Sequence, residues 1–158
     1  MKLQANEAVR GFSLLEIIIV IAIIVLVATI IVIPFSQFRN RQTLDGAAEE
    51  FSSLIALARA KTMSSEGNAR YGIHFTSSSA SLFQGASFPG DNESANIVVN
   101  LSALVSISYT LAGGGADMIF QRLTGDTTQS GTIIISLVAD NTQQRVLTVE
   151  TTGNVSMP

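Results

Sequence analysis

Cysteine is absent from this 158-residue chain, so no disulfide and no thiolate metal site can form. The fold must rest on its core and its hydrogen bonds. The missing thiols leave the cellular compartment open. Histidine occurs once, at His74, and one histidine among many serines makes no case for a Ser–His–Asp triad. Charge is also sparse: 13% of residues are charged against 47% hydrophobic, and the formal net charge is −3. From Glu66 onward only Arg70, Arg122 and Arg145 are basic. They face seven acids (Glu66, Asp91, Glu93, Asp117, Asp126, Asp140 and Glu150), a net charge of −4 for that stretch. A surface of this sign repels phosphates and argues against nucleic acid as a partner. The length suits one small domain plus one long helix and is too short for two full domains.

What the chain does have is a block of apolar residues in one place. Met1 to Gly11 are mostly polar or small and carry Lys2, Glu7 and Arg10. From Phe12 the chain turns apolar, and Ile17–Ile33 contains no charge and only Thr29 as a polar side chain. The 22 residues from Phe12 to Ile33 make about 33 Å of helix, enough to cross the hydrocarbon core of a bilayer. Ile and Val favour strands in water. Inside lipid, however, every backbone group needs an internal partner, which selects helix. Pro34 follows, where loss of one hydrogen bond is expected to kink the helix.

Beyond it, Leu44, Ala47, Ala48, Phe51, Leu54, Ile55 and Ala58 recur at three- and four-residue steps. That spacing predicts an amphipathic helix with one buried stripe, ending near Ser64–Gly67, where Gly67 and Asn68 suit a C-terminal cap. After Gly67 no helical period survives. Short strand-like runs are expected near 70–75, 80–84, 97–100, 105–111, 117–122, 132–138, 145–150 and 155–157, with turn clusters between them. The simplest architecture is α+β: a long N-terminal transmembrane helix whose second half packs on an antiparallel β-sheet head. The expected divisions are 1–11, a leader; 12–34, the membrane and assembly helix; 35–67, the amphipathic half; and 68–158, the β-rich head.

Glu16 is the one charge inside the apolar block. A carboxylate there costs about 2.5–3.5 kcal/mol on insertion scales unless it has a partner or reaches water at the headgroups. Its setting offers a partner. Were the chain cut after Gly11, Phe12 would carry a free amine one helical turn before Glu16. The pair would neutralise two charges at once, within one chain or between neighbours.

The stretch GFSLLEIIIVIAIIVLVATIIV, from Gly11 to Val32, resembles the class III signal of type IV prepilins and type II secretion pseudopilins, G-F-[ST]-L-[LIV]-E before about twenty apolar residues. The resemblance implies a pilin-like fold, cleavage between Gly11 and Phe12 by a membrane prepilin peptidase, N-methylation of Phe12, an assembly role for Glu16 and a helix kink at Pro34. It implies other pilins or pseudopilins, an inner-membrane assembly platform and an ATPase as partners. An ordinary signal peptide fits worse, because the apolar stretch is too long and no small-residue cleavage site follows it. A plain signal anchor leaves Gly11, Phe12 and Glu16 without a role. Lys2 and Arg10 on one side balance Arg39 and Arg41 on the other. The resemblance decides the orientation: a single pass through a bacterial inner membrane, leader in the cytoplasm, head in the periplasm, then entry into a filament.

A second resemblance covers most of the chain. The segment LIALARAKTMSSEGNARYGIHF, with Ala58-Arg59-Ala60 at its centre, is similar to the H-type pseudopilin and T-type minor pilin family (GspH/FimT-like); Thr62 stands where that pattern closes on Ala. The C-terminal succession MIFQRLTG and GTIIISLVADNTQQRVLTVETTGNVSM fits the same family. The expected function is a pseudopilin or minor pilin, with a DNA-uptake minor pilin or a major pilin as alternatives, and no enzymatic activity.

Other features are read conservatively. His74 is expected to be a half-buried strand histidine satisfied by its neighbours rather than a base. Gly113-Gly114-Gly115 follows a strand instead of opening a helix, so it is expected to be a hairpin tip and not a phosphate loop. Neither the Asp91-Asn92-Glu93 loop nor the Asp126-Thr127-Thr128 loop has EF-hand spacing. No metal and no cofactor are expected.

Overall fold

The computed structural model describes residues 11–157, and the side chains of residues 30–36 lie outside the described set. Most of the expected leader, residues 1–10, is outside it too, and Pro34 falls in the second group. One helix, α1 (Leu14–Met63), precedes eight strands: β1 (Tyr71–Phe75), β2 (Ser79–Gln84), β3 (Ile97–Asn100), β4 (Val105–Leu111), β5 (Asp117–Ile119), β6 (Gly131–Leu137), β7 (Gln144–Val149) and β8 (Val155–Ser156). The chain divides into two units, with the boundary between Phe38 and Arg39.

In the first unit, α1 carries Leu14, Leu15, Ile17–Ile21 and Ile23–Val27 with every one of these side chains between 46% and 77% exposed. Consecutive exposed apolar residues surround the helix on all sides, a pattern met in buried or membrane-spanning helices. Among the described residues no helix is long and apolar enough to cross a membrane. Side chains are described up to Thr29 and again from Gln37, and the apolar sequence runs on to Ile33.

The second unit, residues 39–158, has one core. From α1 it takes Leu44, Ala47, Ala48, Phe51, Leu54, Ile55 and Ala58, each no more than 8% exposed. Glu49, Glu50, Ala56 and Leu57 face solvent between them. The stripe follows from the 3.6-residue period, which brings steps of three and four onto one side. Complete burial of Phe51 contributes about 1.5–3 kcal/mol. Across from it the strands alternate: Ile73 and Phe75, Val105 and Ile107, Ile133 and Ile135, and Leu147 and Val149 all point into the same core. The helix ends where Ser65, Gly67 and Asn68 take left-handed backbone conformations, with φ of 51°, 61° and 57°, which breaks the helical hydrogen-bond ladder.

The head contains two four-stranded antiparallel sheets rather than the single sheet expected from the strand pattern. Their orders are β3-β2-β1-β5 and β4-β6-β7-β8. Strands β1, β2 and β3 form a meander. The chain then crosses to β4, returns for β5, which pairs with the far edge of β1, and crosses again to β6. Alternation marks a strand and its buried face but not its neighbour; β6, with core residues at 133, 135 and 137, lies between β4 and β7.

Two further expectations are corrected by this topology. Gly113–Gly115 connects β4 to β5 across the two sheets, so it is a crossover and not a hairpin tip. All three glycines have positive φ and open space around them. The run expected as a strand through Arg122 stops at Ile119, with a single bridge from Phe120 to Thr127. Residues 121–126 instead close a turn in which the Gln121 amide donates to the Asp126 carbonyl and the Gly125 amide to that of Gln121.

The outer face of the first sheet is covered by the 85–96 loop. Phe88 stacks on the His74 ring at 4.1 Å between centroids and meets Phe83 edge-on at 5.8 Å. The Phe88 amide donates to Asp117, whose other oxygen lies 2.6 Å from His74 Nδ1. His74 and Asp117 are direct cross-strand neighbours on β1 and β5. Arg145 on β7 pairs with Asp45 of α1 at 2.7 Å.

The β6–β7 connection is organised by Asp140, which accepts from the Thr142 hydroxyl at 2.6 Å, the Thr142 amide at 3.1 Å and the Gln143 side-chain amide at 3.1 Å. These donors, the Thr142 hydroxyl first, hold its carboxyl below the ordinary value.

Two outcomes follow. A fragment spanning Arg39–Pro158 contains the whole core and is expected to unfold cooperatively in urea, with Phe51→Ala costing about 3–5 kcal/mol. A molten, dye-binding fragment would show that the stripe does not form the core. For Asp140, a depressed folded-state pKa means that its contribution is present above the unfolded value of about 3.9 and is lost as pH falls through the folded value. The stability gap between wild type and Asp140→Asn should therefore narrow as the solution is acidified below the ordinary carboxylate range. A gap that stays constant down to about pH 2 would remove Asp140 from the turn's stability.

Candidate functional site

At the N-terminal end, Gly11, Phe12 and Ser13 precede the helix, and the Ile17 amide donates to the Ser13 carbonyl at 3.2 Å, so the first helical turn closes on Ser13. Gly11 is exposed, and a Cβ placed on it would meet nothing within 4 Å. No packing inside the chain demands glycine there. Phe12 is 80% exposed. Glu16 lies in the first turn of α1 and is exposed. Unpaired amides at a helix start favour an anion at that position. Gly11, Phe12 and Glu16 thus lie together at one accessible helix start.

A second group of contacts gathers where α1 ends. Arg59 Nε donates to the Gly125 and Thr152 carbonyls at 3.3 and 3.2 Å. One side chain therefore ties the helix to two turns from different parts of the head. Both turns need glycine. Gly153 has φ of +74°, and a Cβ there would fall 2.0 Å from the Gly125 carbonyl oxygen and 3.0 Å from Arg59 Nε. A Cβ on Gly125 would crowd Met63 and Arg59. These contacts escape sequence reasoning, although a signal was present: Thr124-Gly125-Asp126 and Thr152-Gly153-Asn154 are near-copies of each other.

The flanking alanines have different roles. Ala58 is fully buried, whereas Ala60 faces out. Thr62, fully buried, donates its hydroxyl to the Ala58 carbonyl at 2.8 Å and accepts the Tyr71 amide at 3.0 Å. The hydroxyl thereby pairs the first amide of β1, a polar group that would otherwise be buried without a partner.

The remaining polar features separate. His74 is held by Asp117 and Phe88, as described. Asp126, Thr127 and Thr128 line a shallow hollow with Thr151 and Thr152, and no group of three or more potential ligands of the His, Cys, Asp or Glu type gathers among the described residues. Arg70 and Arg122 border one cleft of about 390 Å³ together with Asp91. Arg145 borders a different one with Arg41 and Asp140. The three head arginines therefore do not make one basic face.

No family model matches the sequence, and no curated protein matches it. Solved structures do. The type IV minor pilin FimU of Pseudomonas aeruginosa is 18% identical, with 77% of this chain and 92% of that one covered and a TM-score of 0.60. The minor pseudopilin EpsH from the type II secretion system of Vibrio cholerae is 13% identical, with 74% and 94% covered and a TM-score of 0.57. Identity this low speaks for architecture alone, and in architecture the chain, with its antiparallel sheets, has the α+β pilin-like fold.

Proposed function

We propose that this chain is a minor pilin or pseudopilin, a structural subunit and not an enzyme, that enters a membrane-anchored filament through the first half of α1. The observation that carries the reading is the first unit itself: a helix start with Gly11, Phe12 and Glu16 exposed, followed by apolar side chains open on every side. Nothing among the described residues covers them, and water is a poor solvent for such a surface. Lipid, and then the same helices of neighbouring subunits, are the two environments that suit it. The folds of FimU and EpsH support the head as a pilin-type head.

In this reading the apolar sequence from Phe12 to Ile33 crosses the bacterial inner membrane once, with the head in the periplasm. A prepilin peptidase cuts between Gly11 and Phe12 and methylates the new amine. The open space around Gly11 suits a recognition site whose need for glycine lies in the enzyme rather than in this fold. Glu16 then neutralises the Phe12 amine of its own or a neighbouring subunit and sets the offset between subunits. Leaving the bilayer requires an assembly platform and an ATPase. The separation of Arg145 from Arg70 and Arg122 favours no nucleic-acid function.

Two outcomes test this. Mass spectrometry of the assembled protein should find an N-terminus at Phe12 bearing one methyl group, and a bulky residue at Gly11 should leave precursor in the membrane. Met1 retained in assembled material would refute the processing step. Glu16→Gln should be cut and folded normally yet lose cross-linking to other pilins in membranes. One member of a buried charge pair left alone costs about 3–5 kcal/mol, enough to exclude a subunit from a filament. Wild-type cross-linking by this variant would leave Glu16 without an assembly role.

A further inference from the structure

Bases are scarce in the head, and their partners are unevenly shared. Among the described residues Arg145 is paired with Asp45, while Arg70 and Arg122 have no carboxylate within ion-pair distance. Both border the same cleft, between the turn that follows α1 and the 84–91 segment. An acidic head has thus placed two guanidinium groups that lack an ion-pair partner among the described residues on the lining of one cleft.

The cleft is shaped by fixed parts. Arg122 donates to the Asn68 side-chain oxygen, which orients its guanidinium. Asn68 and Gly67 are themselves held in left-handed conformations by the end of the helix. On the other wall the Asp91 amide donates to the Gln84 carbonyl at 2.7 Å, and the Asp91 carboxylate sits against Gly85. A planar guanidinium held in place presents paired N–H donors that match the two oxygens of a carboxylate.

We infer that this cleft is a carboxylate-binding site, in which Arg70 and Arg122 receive an acidic side chain of a partner protein chain. Asp91 decides between anions. Two guanidinium groups and one carboxylate leave a net single positive charge, which balances one monoanion. A phosphate dianion or a polyphosphate strand would meet Asp91 and then the net negative charge of the head. The inference rests on the filament reading only for where such a partner is encountered; the cleft belongs to this chain alone.

The test uses the full chain in detergent with 15N-labelled arginine side chains and three probes: a short, otherwise uncharged peptide with one glutamate, inorganic phosphate and a short DNA duplex. The single-glutamate peptide should shift the Arg70 and Arg122 signals saturably, leave Arg145 unmoved and weaken as salt is raised. Arg70→Gln, an exposed position that the fold does not depend on, should weaken binding by about tenfold, and Arg122→Lys should weaken it while keeping the charge. Arg145→Gln should change nothing. Absence of a shift, or equal loss with Arg145→Gln, would overturn the site. Phosphate binding as tightly as the peptide would overturn the carboxylate assignment in favour of a free-anion site, and preference for the duplex would overturn it in favour of nucleic acid. Because the titration reads the cleft in the isolated chain, failure here leaves the filament reading standing. A chain that never joins a filament would still show the carboxylate binding.

Discussion

Burial of one stripe of α1, from Leu44 to Ala58, is the contact on which the head depends. Without cysteine no disulfide can join the two small sheets, and their buried faces share one core with this stripe. A sheet of four short strands with one apolar face needs something to cover it. Phe51, Leu54 and Ile55 supply that cover, and Met118, Phe120, Ile133 and Leu147 meet them in one core. The sheets are joined in the chain by repeated crossings, so neither can form its full complement of strands alone.

Polar contacts then secure the rim of this core at particular places. Arg59 joins the helix to the turns at Gly125 and Thr152, Thr62 pairs the first amide of β1, and Arg145 reaches Asp45. The first two lie where the helix surrenders its hydrogen-bond ladder and unpaired groups would accumulate. On the far face of the first sheet, Phe88 closes over His74 and Phe83. The single histidine is thereby explained as part of a loop clasp: its ring packs on an aromatic and its nitrogen meets a carboxylate directly opposite on the next strand.

The same helix presents two kinds of surface in sequence. Up to Thr29 its described side chains are exposed and, apart from Glu16 and Thr29, apolar on all sides. From Arg39 it is amphipathic and enters a core. The second kind is satisfied within the chain, whereas among the described residues nothing covers the first. The head itself has the pilin-like fold. Its surface chemistry adds the Arg70 and Arg122 cleft, an exception to the acid excess around it.

Much was legible in the residues themselves. The seven stripe positions follow from the helical period, the strand positions from alternation between turn residues, and the helix end from Gly67 and Asn68. Gly11, Phe12 and Glu16 lie exposed at the start of α1, and their roles in processing and assembly are part of the proposal. The stripe, the strands and the helix end are local properties, set by side chains within a few positions of one another. Partner choice is not local. Alternation cannot tell β6 that β4 and β7 flank it, nor β5 that it returns to β1, because any strand of the same pattern would bury the same face. The same limit hid the early end of β5, the crossover at Gly113–Gly115 and the Arg59 tether. It also hid the meeting of Arg70 with Arg122 across 52 positions of sequence. The sequence by itself determined which residues are helix, strand and core, because period and polarity act over one or two turns of chain. Only the tertiary structure decided that the strands divide into two sheets and that the unpaired arginines share a cleft, because those depend on contacts between segments whose separation no local pattern records.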